Sequence, residues 1–112
     1  MVAASYVPNR GDLIWLQFSP QTGHEQAGHR PGIVLSPKSY NAKVGLAICC
    51  PVTNQQKGYP FEVPLPQSTQ TNGVILSDQV KSLDWRQRQA QFIEKAPESV
   101  LNETLGKIHT LL

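Results

Sequence analysis

Glu25, His29 and Arg30 place a carboxylate, an imidazole and a guanidinium within six positions of one segment, Glu25-Gln26-Ala27-Gly28-His29-Arg30-Pro31. Such a set can do acid–base work on a phosphodiester. A carboxylate accepts a proton, while a guanidinium stays charged and offers forked donors that match phosphate oxygens. By spacing alone, the same residues equally make a solvated polar loop with an Arg–Glu surface pair. Thr53 stands directly before Asn54-Gln55-Gln56-Lys57-Gly58, where a hydroxyl and exposed amides can cradle a phosphate oxygen, or where a threonine is simply a β-former. Lys57, Lys81, Arg86 and Arg88 interleave with Tyr59, Phe61 and Trp85. That mixture of cations and stacking faces suits single-stranded nucleic acid, and it also suits a solvated face over core aromatics. His24, His29 and His109 stand in no ligand spacing and no acidic cluster accompanies them, so no metal is expected. A Gly-rich phosphate loop, a Ser-centred elbow and a catalytic Cys–His arrangement are all missing from the sequence, so no cofactor is expected either.

The elements that must position these residues are mostly strands. Leu13 to Phe18 is a run of strand formers, apolar on both faces. Ser19 to Pro31 loses apolar content and gains Pro, Gly, Thr, His and Gln, which predicts a loop of about a dozen residues. Gly32–Leu35 reads as a second strand, and Ser36-Pro37 as the cap and first position of a short helix ending near Gly45. Leu46–Val52 is a third, buried strand. Phe61–Val63 alternates as a fourth, which Pro64 and Pro66 confine to a sheet edge. Asn72-Gly73 signals a turn into a fifth strand, Val74–Leu76, and Gln79–Ser82 and Arg88–Ile93 are shorter strand candidates around Asp84-Trp85. After Pro97, Val100, Leu101, Leu105, Ile108 and Leu112 repeat at helical spacing. Short strands with turns between them plus one terminal helix predict a mostly antiparallel barrel with helical trim.

With 112 residues, one domain spanning the chain is the expectation, and a groove long enough for a polymer forms more readily between two copies than within one. The net charge is +2, but residues 1–93 hold eight Lys/Arg against five Asp/Glu, so the basic excess lies on the body rather than the tail. No apolar run approaches a membrane span and the first twenty residues do not read as a secretory leader, which predicts a cytoplasmic protein. Adjacent Cys49 and Cys50 suit neither an ordinary disulfide nor a CxxC clamp, and read as buried thiols.

Several blocks, in order, closely resemble the MazF/Kid/PemK toxins of bacterial toxin–antitoxin pairs. They are Gly11-Asp12-Leu13-Ile14-Trp15, Glu25 to Pro31, Val34-Leu35-Ser36-Pro37, Lys57-Gly58-Tyr59-Pro60-Phe61-Glu62-Val63 and Asp78-Gln79-Val80-Lys81-Ser82. The resemblance implies a mostly β fold, an SH3-like β-barrel of the type shared by MazF and the gyrase poison CcdB, with a short internal helix and a C-terminal α-helix. It implies a homodimer with an RNA groove at or near the interface, and a MazE-like antitoxin whose acidic, disordered tail competes for that groove. It implies a sequence-specific, metal-independent endoribonuclease that cuts single-stranded mRNA by attack of the ribose 2′-OH, leaving a cyclic phosphate and a 5′-OH. By motif match the catalytic residues fall on Glu25, Arg30 and Thr53. Arg30 suits stabilisation of the phosphoryl oxygens, Glu25 is the preferred base, and Thr53 donates to the phosphate. The acid is open between Arg30, His29 and water. RNA contacts are expected from Phe18, His29, Asn54, Lys57, Tyr59, Gln79, Lys81 and Arg86. A gyrase-directed poison or a non-catalytic RNA-binding barrel on the same fold are the competing readings. The stretches 19–24, 52–54 and 64–72 depart from the family pattern, which leaves the recognised RNA motif open.

Overall fold

The first strand forms where predicted, as β1 (Asp12–Gln17), and the second, β2 (His29–Val34), starts three residues before the expected Gly32. The cause is pairing: Gln17 lies opposite His29 and Leu16 opposite Arg30, so β1 draws the end of the polar loop into the sheet. The computed structural model describes residues 6–18 and 28–112. Helix α1 (Lys38–Val44) leads to β3 (Ala47–Thr53), β4 (Glu62–Pro64), β5 (Val74–Leu76), β6 (Lys81–Leu83), β7 (Gln91–Lys95) and α2 (Glu98–His109).

Every pairing among the described residues is antiparallel, in the order β4-β5-β3-β2-β1-β7, with β6 also on β3. β6 takes Ala47 to Cys49 of β3 and β5 takes Val52 and Thr53, so the two short strands share one side of β3. β4 lies at the edge, as its prolines require.

The central strands are buried on both faces. Leu13, Ile33, Cys50 and Val52 pack with Val63, Ile75 and the Val100 and Ile108 side chains of α2. Ile14, Leu16, Phe18, Val34 and Cys49 pack on the other side with Leu83 and Trp85. Alternation therefore sends Cys49 and Cys50 to opposite cores. Burial raises both thiols, Cys50 to about 12, so neither is a thiolate at neutral pH.

The helix ends differ from their sequence signals. The Ser36 hydroxyl does not cap α1; it donates to Asn41 Oδ1 (2.6 Å) and accepts from Ile48 N–H (2.8 Å). The Lys38 N–H is instead taken by Asn9 Oδ1 (2.9 Å), from a segment distant in sequence. Asn41 is fully buried and its amide donates to Pro8 O (2.8 Å) and Ser36 O (3.0 Å), while Trp85 Nε1 donates to Asn41 O (3.0 Å). On α2 the buried stripe is Val100, Thr104 and Ile108, with the Thr104 hydroxyl donating back to Val100 O (2.8 Å). Leu112, expected on that stripe, is 96 % exposed because the helix stops at His109.

Candidate active site

The β2–β3 ladder runs from Val34↔Cys49 to Gly32↔Pro51 and stops beside two prolines, Pro31 and Pro51, that have no N–H to donate. Arg30 and Thr53 each lie two positions beyond this last pair, at the neighbouring start of β2 and end of β3. Strand alternation puts both on the face of Val34 and Cys49. Lys81 pairs with Cys49 and so shares that face, and Gln79 precedes it by two residues. Gly32 lies between Arg30 and Val34 on β2. A Cβ there would meet the Phe18 ring at 2.9 Å, so the glycine lets that ring pack directly against the strand.

Thr53 is buried and its Oγ1 accepts from Gln55 N–H at 3.1 Å, which leaves the hydroxyl proton itself to be donated. The loop that follows is held by carboxylates. Glu62, 6 % exposed, accepts from Lys57 N–H and Gly58 N–H, both at 2.9 Å, with Gly58 at φ +81°. The Tyr59 hydroxyl donates to Asp78 Oδ1 at 2.7 Å. Burial and the Asp78 hydrogen bond push that phenol up to about 12, so Tyr59 remains a neutral donor at physiological pH. From α2, the Lys107 ammonium donates to Pro60 O and Glu62 O.

A groove of about 540 Å³ borders Arg30 and takes in Trp15, His29, Pro31, Val52 and Ile93 from the strands. Its remaining lining is Asn54, Gln70, Thr71 and Asn72 from two loops. Trp15 is 39 % exposed and stacks on His29, with ring centres 5.3 Å apart and planes 15° from parallel. The pairing of β1 with β7 slips by one residue at Ile93, which brings Glu94 into register with Leu13. Glu94 then accepts from Gln70 N–H (3.1 Å), Thr71 N–H (2.8 Å) and the Thr71 hydroxyl (2.9 Å). Burial works to raise this carboxyl, but those three donors outweigh it and leave Glu94 below its ordinary value.

The sequence-predicted residues thus fall into distinct places. Arg30, Thr53 and Lys81 share a face, with Gln79 close in sequence to Lys81; Lys57 and Tyr59 lie on the loop braced by Glu62 and Asp78; His29 and Asn54 line the groove. Phe18, expected to meet RNA, is 1 % exposed and packs in the core, because the strand alternation that turns Trp15 outward turns Phe18 inward. Arg86 stacks 4.8 Å over Trp85, which packs with Val34 and Cys49 and donates its indole N–H to Asn41 O of α1. Glu25 lies outside the described residues. Sequence reasoning missed Glu62, Glu94 and the 70–72 loop. Glu62 had a signal, a carboxylate alternating with apolar strand residues, which can be buried only if N–H donors meet it. Among the described residues, no group of three or more His, Cys, Asp or Glu side chains converges as a metal site, and no helix is long and apolar enough to cross a membrane.

The model of the PemK-like, MazF-like toxins of type II toxin–antitoxin systems matches residues 9–112. The chain is 56% identical over 111 residues to the endoribonuclease toxin MazF of Escherichia coli strain K12, covering 99% of each. The solved MazF of Deinococcus radiodurans superposes with a TM-score of 0.93 at 53% identity, over 96% of this chain and 97% of that one. The MazE–MazF complex from the same organism superposes at 0.87, again at 53% identity and over 96% of each chain. A family match over nearly the whole chain, together with this level of identity and shared fold, leads to one conclusion: the chain belongs to the MazF/PemK-like toxins of type II toxin–antitoxin systems.

Proposed function

We propose that this protein is a sequence-specific endoribonuclease of single-stranded RNA and the toxin of its pair, working as a cytoplasmic homodimer and restrained by a MazE-like antitoxin. The observation that carries the reading is the shared face of Arg30 and Thr53 at the end of the β2–β3 ladder, with Lys81 on the same side. A guanidinium, a hydroxyl and an ammonium on one face suit the phosphates of an RNA backbone laid along it. Similarity to an endoribonuclease at 56% identity gives the reaction class.

In the reaction, the ribose 2′-OH attacks the adjacent phosphorus. Its proton passes to Glu25, the P–O5′ bond breaks, and the departing 5′-oxygen is protonated, leaving a 2′,3′-cyclic phosphate and a 5′-OH. Arg30 stabilises the charge that builds on the phosphoryl oxygens, and Thr53 adds a neutral donor. Lys57, Lys81 and His29 attract and orient the neighbouring backbone.

Arg30→Ala, assayed on a long RNA with mapped fragment ends, is expected to cut 10²–10³-fold more slowly, the cost of one donor aimed at developing charge, while its circular dichroism stays that of the parent. Activity of the parent is expected to persist in chelator. Near-parental cutting by Arg30→Ala refutes the assignment, and parental protein that binds RNA but leaves it whole refutes the enzyme reading.

A further inference from the structure

Lys107 reaches from the last turn of α2 to the loop after Thr53, a contact that the helix itself does not call for. We infer that Lys107 is a positioning residue for RNA: it fastens the backbone of residues 59–62 to α2 and so fixes where Lys57 and Tyr59 are presented. This deepens the endoribonuclease reading and rests on it.

A lysine near a helix C-terminus ordinarily meets the last carbonyls of its own helix or points into water. The Lys107 ammonium instead donates to Pro60 O and to Glu62 O (3.1 Å), 47 and 45 positions earlier in the chain. Glu103, 3.8 Å away and half exposed, is a loose companion by comparison. The Lys107 side chain is 29 % exposed, so water competes with these charge-assisted bonds only in part.

Those two bonds complete the fastening of the segment. Tyr59 O accepts from Glu62 N–H (3.1 Å), and Phe61 O accepts from Ser77 through its N–H (3.1 Å) and its hydroxyl. With Lys107 on Pro60 O and Glu62 O, every carbonyl from 59 to 62 has a donor. Lys107 ties this run to a helix that is itself anchored, since Val100 and Ile108 of α2 pack in the core with Val63 of β4.

What the clamp holds is the part of the loop offered to RNA. The Glu62 carboxylate receives the N–H groups of Lys57 and Gly58, so fixing the Glu62 backbone also fixes the group that shapes the turn at Lys57. Lys57 is exposed on that turn, and the Tyr59 hydroxyl is set by Asp78. A cation and a phenol on a backbone arranged in advance lose less freedom when a ligand binds. Without the clamp the presented arrangement becomes one of several, and affinity falls with the fraction of time it is populated. Thr53 is insulated from the change, because its hydroxyl is held from the other end of the loop by Gln55 N–H. Binding therefore depends on Lys107 more than the chemical step does.

The test is a mutant cycle that pairs Lys107→Met with a Lys57→Ala/Tyr59→Phe background, with Lys107→Arg alongside. KM and kcat are read on a long RNA, and Kd on an RNA made uncleavable by a 2′-deoxy sugar at the cut. Pro60 is exposed, so water can take up its carbonyl in Lys107→Met and the fold is kept. Lys107→Met is expected to raise KM and Kd about tenfold with kcat within about twofold of the parent, as when the competent arrangement falls to about a tenth of the population. Lys107→Arg keeps charged donors and should recover most of that loss. In the Lys57→Ala/Tyr59→Phe background the Lys107→Met penalty should all but vanish, because the groups it positions are gone. Parental KM and Kd in Lys107→Met, a fall in kcat alone, no recovery with arginine, a penalty that persists in that background, or loss of the folded circular dichroism spectrum overturns the positioning role and leaves the nuclease reading standing. A parent that cuts no RNA sinks both.

Discussion

Replacing Glu62 by glutamine tests whether one buried carboxylate shapes the loop after Thr53. Each of its oxygens accepts a single backbone N–H, from Lys57 and from Gly58, both at 2.9 Å, and the side chain is 6 % exposed, so water does not compete. Glu62→Gln keeps the shape but turns one oxygen into an NH₂ group. Whichever way the amide is set, one N–H then faces another N–H. One charge-assisted bond, worth about 1.5–3 kcal/mol, is lost, and the survivor drops to a neutral bond of about 1 kcal/mol. A net loss of about 3 kcal/mol follows. In urea, with a slope of about 1.5 kcal/mol/M, the unfolding midpoint should fall by about 2 M. The freed loop also carries Lys57 and Tyr59, so KM for RNA should rise more than kcat falls, and the salt dependence of binding should flatten by about one phosphate contact. A midpoint within about 0.3 M of the parent, with an unchanged KM, refutes the reasoning.

Gly73→Ala sets a methyl group 2.3 Å from Thr53 O at φ +115°, and a backbone oxygen inside a sheet cannot step aside. The melting temperature should drop by at least about 8 °C and cutting should slow; a parental melting curve refutes the close approach. Glu94 has a lowered carboxyl, so its share of stability is complete above its unfolded value of 4.5 and is lost as pH falls through the lower folded value. The gap in stability between the parent and Glu94→Gln, measured by urea titration, should accordingly be full at pH 6–7 and close progressively below pH 4.5; a gap that does not vary with pH counts against the three-donor clasp.

Much of the architecture was legible in the chain because it is written in local periodicity. Leu13 to Phe18, Val74 to Leu76 and the Val100–Ile108 stripe follow the periods of strand and helix, and the Asn72-Gly73 turn follows from which residues tolerate positive φ. The motif blocks likewise pointed to Arg30 and Thr53 as a pair. What the blocks could not carry was distance across the fold. Ser36 has the chemistry of a cap, yet a buried asparagine claims its hydroxyl and Asn9 caps the helix instead. Phe18 is an aromatic beside a polar loop, and only the packing of Gly32 turns it into core.

The amino-acid order alone determined that the chain is strand-rich, that Cys49 and Cys50 are inert, and that a guanidinium and a hydroxyl are available for phosphate, since all of these depend on residue type and near neighbours. The tertiary structure decided what meets what: the antiparallel register that brings the start of β2, with Arg30, beside the end of β3, with Thr53, the bulge that sends Glu94 to the 70–72 loop, and the stacking of Trp15 on His29. The physical reason is that strand pairing and carboxylate clasps join residues tens of positions apart, and their geometry follows from the closed sum of all contacts rather than from any segment read by itself.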